Sequence, residues 1–473
     1  MKLSGLARTR TGWLAIGIAL ALAAPVFGGA GSVLTLGPMD ILALDQPRVQ
    51  IGLEDLDNLG EVVGPLNFND GLLDTGANGL LLGQLAYYDD NFIVDPDLYD
   101  LARRPDDSIV QYEEIGVAGT QLLDVLEPHN FYFAGADTIT RQLPAVNVFG
   151  DSSVDLGGWA AVVGMPAMAG RVTTLNLLPM SEFEFIEVAF SPTRPAATPH
   201  GYHVSLTMLE PEHTGQQQPG DPLPTFAALP LVENVRTWHN GLVASDTMLL
   251  DTGAQVSMIT TATALQMGID PETDAIDYLE VGGIGGTQLI PIVEVDRMAL
   301  PTAEGVDLHL TNLQVGVLDI PGLGGILGMN ALTSGYLDGI FSGDPGFIES
   351  VILDFTEAEG VMRLDLLAPV DTPVLKGDVG GDGFINALDL SVVGANWLAS
   401  GVDWSLGDFN FDTIVNALDL SALGANWGLT ASGGGVTFDK PAPGLGGIPE
   451  PASVLLLATS AGLLLGRRRR NVL

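Results

Sequence analysis

The hexapeptide Leu-Leu-Asp-Thr-Gly-Ala occurs twice in the chain, and its aspartates are Asp74 and Asp251. Two carboxyl groups that lie about 3 Å apart cannot both ionise, so a close pair shares one proton. The ionised member can take a proton from water while the protonated member polarises a carbonyl group. The repeat therefore predicts a pair of aspartates, one from each copy, that act together as acid and base.

Two further motifs recur behind each copy of the hexapeptide. The segment GVAGTQL begins at Gly116 and GIGGTQL begins at Gly283, while AVVGMPAM contains Gly164 and GILGMNAL contains Gly328. A single Asp-Thr-Gly is weak, because aspartate and glycine are ordinary turn residues and many such tripeptides are surface turns. Three motifs that recur in the same order instead predict a duplicated lobe.

With these motifs, the chain resembles the aspartic proteases over roughly 340 residues. In that family each lobe contains an Asp-Thr/Ser-Gly turn, a glycine-rich flap hairpin and a strand of two hydrophobic residues followed by glycine. The resemblance implies an all-β fold with two homologous lobes in one chain, at 31–195 and 196–370. A boundary near Pro195 is predicted by the proline-rich segment FSPTRPAATPHG. Ala77 and Ala254 resemble the retroviral-type branch more than the pepsin branch.

The same resemblance implies the roles of individual residues. Asp74 and Asp251 would be catalytic, and catalysis would need no cofactor. The turns would be supported by Thr75, Gly76, Thr252 and Gly253. The flaps that close over a polypeptide substrate would contain Gly116, Gly119, Gly283 and Gly286.

A second repeat, GDVGGDGFINALDLSVVGANW and GDFNFDTIVNALDLSALGANW, has the ligand spacing of calcium loops. A hard cation needs many oxygen ligands from one short loop, some of them backbone carbonyls. The first loop offers Asp378, Asp382, Phe384, Asn386 and Asp389. The second loop offers Asp408, Asn410, Asp412, Ile414, Asn416 and Asp419. A pair of acidic turns without metal is the alternative, which the repeated spacing disfavours.

This repeat resembles a type I dockerin, a small α-helical module that folds around two calcium ions and docks on cohesin domains. The module is assigned to 371–430, and a cohesin-like domain is its implied partner. Two positions depart from the family pattern. Gly380 stands where the first loop should offer a side-chain oxygen, and Thr413 replaces the turn glycine of the second.

Both chain ends have the pattern of processing signals. Residues 1–30 combine basic residues, an apolar run and small residues, which predicts a secretory signal peptide. An uncleaved membrane anchor is the alternative, but the run is shorter than a spanning helix needs. After a linker at 431–447, residues 448–473 resemble a PEP-CTERM sorting signal, which implies an exosortase-type processing enzyme. A plain tail anchor is the alternative there.

Composition restricts the function further. The chain of 473 residues has a formal net charge of −40, which argues against nucleic acid or an anionic membrane surface as a partner. Cysteine is absent, which excludes disulfides and thiolate sites. We therefore expect an exported aspartic endopeptidase at the envelope, outer surface or extracellular matrix of a Gram-negative-type bacterium, contacting membrane only through its terminal signals. The alternative is a non-catalytic surface structural or adhesion protein with the same fold.

Overall fold

The structure is a computed structural model that describes residues 32–437, except 58, 117–118, 183, 211–217, 219, 338–345, 368–373, 380–383 and 433–434. The predicted signal peptide at 1–30 and the predicted sorting signal at 448–473 therefore lie outside the described residues. Calcium ligand Asp382 lies outside them too. No helix within the described ranges is both long and apolar enough to cross a membrane.

The first sheet is formed by short strands in which inward and outward residues alternate. Strand β1 (Ser32–Pro38) precedes it and belongs to the second sheet. The ten strands of the first sheet are β2 (Arg48–Asp55), β3 (Val62–Gly64), β4 (Asp70–Leu73), β5 (Leu80–Leu82), β6 (Gln111–Gly116), β7 (Gly119–Val125), β8 (His129–Ala134), β9 (Arg141–Val146), β10 (Phe149–Gly150) and β11 (Ala161–Val163). In β2, Val49, Ile51 and Leu53 are buried because successive side chains in a strand point to opposite faces.

The second sheet has 14 strands, including β1. Its other strands are β12 (Val172–Asn176), β13 (Glu187–Ser191), β14 (Gly201–Leu209), β15 (Leu229–His239), β16 (Leu242–Asp251), β17 (Met258–Ile259), β18 (Asp277–Gly283), β19 (Gly286–Pro301), β20 (Val306–Val317), β21 (Gly325–Gly328), β22 (Ile348–Asp354), β23 (Gly360–Leu366) and β24 (Val374–Leu375). Two short helices accompany it, α1 (Thr261–Gln266) and α2 (Met329–Leu332).

The two sheets repeat one local arrangement of strands. In the first sheet β11 pairs parallel with β4 and antiparallel with β5. In the second sheet β21 pairs parallel with β16 and antiparallel with β17. The strand that leads into each Asp-Thr-Gly turn therefore lies beside the strand with the hydrophobic-hydrophobic-Gly motif. This equivalence gives the sequence repeat a structural counterpart.

Strands from the first part of the chain also join the second sheet. β1 pairs parallel with β20, and β12 pairs antiparallel with β22. One apolar cluster runs through both sheets and includes Leu53, Phe131, Leu250 and Leu327, all at most 1% exposed. The aspartate turns are thus held by a continuous core rather than by two separate ones.

The C-terminal module contains two helices and a small core of its own. The helices are α3 (Ala387–Ala395) and α4 (Ala417–Ala425), followed by the strand pair β25 (Thr430–Ser432) and β26 (Gly435–Thr437). Each helix starts with a capping box, in which an asparagine and an aspartate bond each other's backbone N–H groups. The buried core is formed by Leu375, Ile385, Val393, Phe409, Val415, Ala422 and Leu423.

The module is attached directly to the second sheet. β24 pairs antiparallel with β1, and Lys376 donates to Asp307 at 2.6 Å. The guanidinium of Arg297 in β19 lies 3.6 Å from the ring centroid of Phe411 in the second predicted calcium loop. The structure therefore places that loop against the outside of the second lobe.

Candidate active site and calcium loops

The two Asp-Thr-Gly turns face each other where the lobes meet. β4 ends directly before Asp74, and β16 ends at Asp251. A Cβ atom on Gly76 would lie 2.6 Å from Oδ2 of Asp251, and one on Gly253 would lie 2.5 Å from Oδ2 of Asp74. Any side chain at either position would displace the opposite carboxylate. The two glycines thus allow the aspartates to meet.

The threonines of the two turns exchange hydrogen bonds across the lobe interface. The Thr75 backbone N–H donates to Oγ1 of Thr252 at 3.0 Å, and the Thr252 N–H donates to Oγ1 of Thr75 at 3.0 Å. Each hydroxyl in turn donates to the carbonyl before the opposite aspartate, Leu250 at 2.6 Å and Leu73 at 2.7 Å. Both threonines are at most 1% exposed. Four buried hydrogen bonds therefore fix the position of one aspartate relative to the other.

The two carboxyl groups differ in their backbone donors. Oδ1 of Asp251 accepts from the N–H groups of Gly253 and Ala254, both at 2.9 Å. Among the described residues, Oδ1 of Asp74 accepts from the backbone N–H of Gly76 at 2.7 Å. Backbone donors stabilise an ionised carboxylate. Backbone N–H groups of the turns therefore favour the ionised form of each carboxyl group.

Burial and mutual repulsion shape the ionisation of the pair. Burial, then the charge of Asp251, raises the pKa of Asp74 well above its usual value. Burial also raises the pKa of Asp251, but a hydrogen bond with Asp74 and the amides of Ala254 and Gly253 lower it in part. Because the two carboxyl groups interact strongly, they titrate as a pair that holds one shared proton.

Two glycine-rich hairpins meet at their tips. β6 and β7 pair Gly116 with Gly119, while β18 and β19 pair Gly283 with Gly286. A Cβ on Gly116 would lie 2.6 Å from the carbonyl oxygen of Ile284, at the tip of the other hairpin. Gly119 and Gly286 have φ of 127° and 118°, which side-chain-bearing residues rarely adopt. The four predicted flap glycines therefore pair at equivalent positions of two hairpins that lie in contact.

The third repeated motif supports the turns from below. The Met165 N–H donates to the carbonyl of Ala77, and the Met329 N–H donates to the carbonyl of Ala254, both at 2.8 Å. These equivalent bonds join the residue after each hydrophobic-hydrophobic-Gly motif to the alanine after Asp-Thr-Gly. They hold the two turns in the same way.

Some residues beside the turns were not identified from the sequence. The Gln46 side chain donates to the carbonyl of Gly253 and accepts from Gln255. Glu114 lies in the first flap, and its Oε2 is buried without a hydrogen-bond partner among the described residues. Neither residue belongs to a repeated motif, although aligning the two flaps by their glycines would have drawn attention to Glu114.

The second predicted calcium loop brings its acidic residues together. One carboxylate oxygen from each of Asp408, Asp412 and Asp419 lies within 4.8 Å of the others. The amide of Asn410 donates to Asp412 at 2.9 Å, and that of Asn416 donates to the same carboxylate at 3.1 Å. The clustered oxygens fit a hard cation such as calcium, which would relieve the repulsion between them.

The first loop is described only in part. Asp378 and Asp389 are 2% and 4% exposed, and Asp389 accepts from the backbone N–H of Val379 and Asn386 at 2.9 and 2.8 Å. Residues 380–383 of this loop are not described, and Phe384 directly follows them. Among the described residues, the cluster of carboxylate ligands is therefore seen in the second loop.

Two parts of the chain match known protein families. Residues 235–331 match the family model described as aspartyl protease, and residues 376–426 match the type I dockerin domain. The first match includes Asp251, whereas Asp74 is related to it by the internal repeat. No curated protein matches the chain. The predicted resemblance to both families is confirmed, and so is the mainly β fold with a small helical C-terminal module.

Several solved structures are similar at low identity. The aspartic proteinase from Irpex lacteus is 11% identical, with a TM-score of 0.38, and the match covers 69% of this chain and 99% of that one. Basic 7S globulin from soybean is 10% identical, with a TM-score of 0.34 and coverage of 69% and 95%. Conglutin gamma from lupine seeds is 9% identical, with a TM-score of 0.36 and coverage of 68% and 96%. The two family matches, rather than these distant likenesses, carry the assignment of the domains.

The threonine contacts predict a large and specific loss of stability. Thr252→Val should lower the free energy of unfolding by about 3 kcal/mol, because it leaves the Thr75 N–H and the Leu73 carbonyl buried without partners. Thr252→Ser keeps the hydroxyl and should cost less than about 1.5 kcal/mol. Denaturant unfolding measures both variants, and equal losses would contradict the role of the hydroxyl.

In the second calcium loop, replacing Thr413 with glycine should increase the stability of the folded module. Thr413 has φ of 62°, a left-handed conformation that costs a β-branched residue about 1 to 2 kcal/mol. Thr413→Gly removes this strain but makes the unfolded chain more flexible, for a net gain of about 0.5 to 1 kcal/mol. The calcium midpoint for helix formation, followed by circular dichroism, should fall by about two- to fivefold. Thr413→Ala is the control, and an equal shift with alanine would refute the explanation by strain.

Proposed function

Because the chain contains an aspartyl protease domain and a type I dockerin domain, we propose that it is an exported aspartic endopeptidase that hydrolyses polypeptides. The observation that carries this proposal is the approach of Asp74 and Asp251, each fitted against the glycine of the other turn. A charged pair this close is costly for the fold. A shared proton makes it chemically useful.

The different surroundings of the two aspartates suggest which one acts as the base and which as the acid. Asp251, with its two backbone donors, takes the proton from a water molecule bound between the carboxyl groups. Asp74 donates the shared proton to the carbonyl oxygen of the scissile peptide as the water oxygen bonds to the carbonyl carbon. The proton on Asp251 then passes to the leaving nitrogen while a hydroxyl of the tetrahedral intermediate returns a proton to Asp74. The C–N bond breaks, and a carboxylic acid and an amine are released.

The flaps supply the enclosure for this reaction. Their tips are in contact at Gly116 and Ile284, above a site that must admit a polypeptide. Substrate entry therefore requires the hairpins to separate and close again, which excludes bulk water during the reaction. The glycines at the turns leave the backbone free to adopt both arrangements.

The remaining modules suggest where the enzyme acts. The dockerin domain suggests attachment to a cohesin-like partner outside the cell, with calcium as its structural ion. Leu388 and Leu418, at equivalent positions in α3 and α4, are 69% and 43% exposed and are suited to such a contact. The terminal sequences add export and processing by an exosortase-type enzyme at the bacterial envelope.

Replacing either aspartate tests the shared site. Asp74→Asn and Asp251→Asn should each lower kcat/KM for a cleavable peptide by at least about a thousandfold, because an amide cannot share the proton. The double variant should be about as inactive as either single variant, as expected for residues that act as a unit. Peptide cleavage assayed by mass spectrometry gives the rates.

Asp70→Asn is the matched control, since Asp70 lies in β4 on the same approach to the turn but is exposed. Activity of Asp74→Asn near that of the wild type would rule out the shared site. A folded wild-type protein that cleaves no peptide of a mixed library would instead favour the structural or adhesion function.

The ionisation of the pair predicts a bell-shaped pH profile. Activity should rise as one carboxyl ionises and fall when the shared proton is lost, with an optimum at about pH 4 to 6. Because burial raises both pKa values in the folded protein, the pair favours folding at low pH, and this contribution disappears as pH rises through the raised values. The pH dependence of kcat/KM and of thermal unfolding measures the two effects. An optimum above pH 8 would contradict the assignment.

A further inference from the structure

The two flaps differ at a position that the repeat makes equivalent. Gly116 and Gly283 begin the matched turns, so the residues two places earlier correspond. That position is Glu114 in the first flap and Val281 in the second. The repeat therefore gives the cleft one flap with a carboxylate and one with an aliphatic side chain.

Strand alternation turns Glu114 towards the interior. Tyr112, Glu114 and Gly116 lie on one face of β6, because side chains two residues apart share a face. At one end Tyr112 is 3% exposed, and its ring centroid lies 5.1 Å from that of Phe226. At the other end Gly116 abuts Ile284 of the second flap. Glu114 thus lies between a residue that packs on Phe226 and a residue that abuts Ile284.

The walls of this region are apolar. Residues 220–228, here named the strap, run beside the first turn, where the Ala227 N–H donates to the carbonyl of Asn78 at 2.9 Å. The strap is anchored by Asp221, which pairs with Arg104 at 2.7 Å. Its Phe226 belongs to an apolar cluster with buried Leu81, Leu123, Phe149 and Val154 and partly buried Leu156, Val162 and Ile284. The cluster therefore joins the first flap, the strap and the second flap tip.

Glu114 has no charged partner in this apolar setting. Its Oε2 is buried without a hydrogen bond from the described residues, and the ion pairs of the described chain do not include it. The neighbouring titratable group is the Tyr112 hydroxyl, while Gln121 faces it across the hairpin and Phe226 and Ile284 are apolar. Burial raises the pKa of Glu114 to about 7, and a hydrogen bond with Tyr112 lowers it only in part.

We propose that Glu114 determines specificity by binding the lysine or arginine side chain of a polypeptide substrate beneath the first flap. This inference rests on the proposed peptidase function and names one part of its substrate. A buried carboxylate without a cationic partner is costly, and a cation from the substrate would supply that charge. Val281 gives the equivalent site of the second flap an aliphatic preference, so the cleft can distinguish the two directions of a bound peptide.

The preference for a lysine or arginine side chain should increase with pH, because burial raises the pKa of Glu114. Above about pH 7 the carboxyl is ionised and attracts a cation, whereas at pH 5 it is protonated and neutral. The aspartate pair also changes its activity over this range. Comparing two substrates at each pH cancels that common effect, because both substrates use the same pair.

The test uses a cleaved peptide in which each position carries in turn lysine or norleucine, its uncharged analogue. At one position, wild-type kcat/KM should favour lysine by about tenfold at pH 7.5 and by little at pH 5. Glu114→Gln should bring this ratio near one at both pH values. Glu113→Gln is the matched control, since it removes a neighbouring carboxylate from the opposite face of β6 and should leave the ratio unchanged.

The outcomes separate this inference from the proposed function. Cleavage without a lysine preference, or a preference that Glu114→Gln preserves, would overturn the inference and leave the peptidase function standing. If the folded wild type cleaves nothing, the peptidase function fails, and calorimetry of the two intact peptides still tests the site. Tighter binding of the lysine peptide that Glu114→Gln removes would then support the carboxylate, and equal binding or none would overturn it.

Discussion

The close approach of two carboxyl groups is the constraint on which the rest of the structure depends. Burial and like charge both oppose this arrangement, as the raised pKa values of Asp74 and Asp251 indicate. The arrangement persists because hydrogen bonds hold the backbone of both turns in place. Four buried threonine hydrogen bonds join the turns. Breaking any one of them would leave a buried donor or acceptor without a partner, which is costly. The pair is thus stabilised by its supports rather than by its own interaction.

Duplication gives the site its symmetry, and small departures from symmetry give it chemistry. The turns, the flap glycines and the supporting bonds of Met165 and Met329 are equivalent in the two lobes. The backbone N–H of Ala254 donates to Asp251, so the two carboxyl groups have different neighbours. Glu114 and Val281 occupy equivalent positions and likewise make the two flaps different. With identical lobes, either carboxyl group could hold the shared proton and a peptide could bind in either direction. The differences between the lobes make these arrangements unequal.

The sequence predicted the features that depend on short motifs. The repeated Asp-Thr-Gly and the glycine hairpins indicated the family resemblance and the β fold, because the motifs recur in the same order in both halves. The roles assigned to Asp74 and Asp251 remain predictions, although the structure brings the two side chains together. The exchange of β1 and β12 into the second sheet was not predicted, since pairing between distant segments has no local signature. The burial of Glu114 has the same origin, because it depends on the strap and the opposite flap.

The placement of β1 in the second sheet affects how the site responds to dilution. A site assembled from two separate chains would dissociate at low concentration, because its formation would be a bimolecular equilibrium. Here both aspartates belong to one chain, and β1 and β12 from its first part pair with β20 and β22 from its second. Bringing the halves together is therefore a step of folding with a high effective concentration. A protein released into a large extracellular volume would keep its paired aspartates at any dilution.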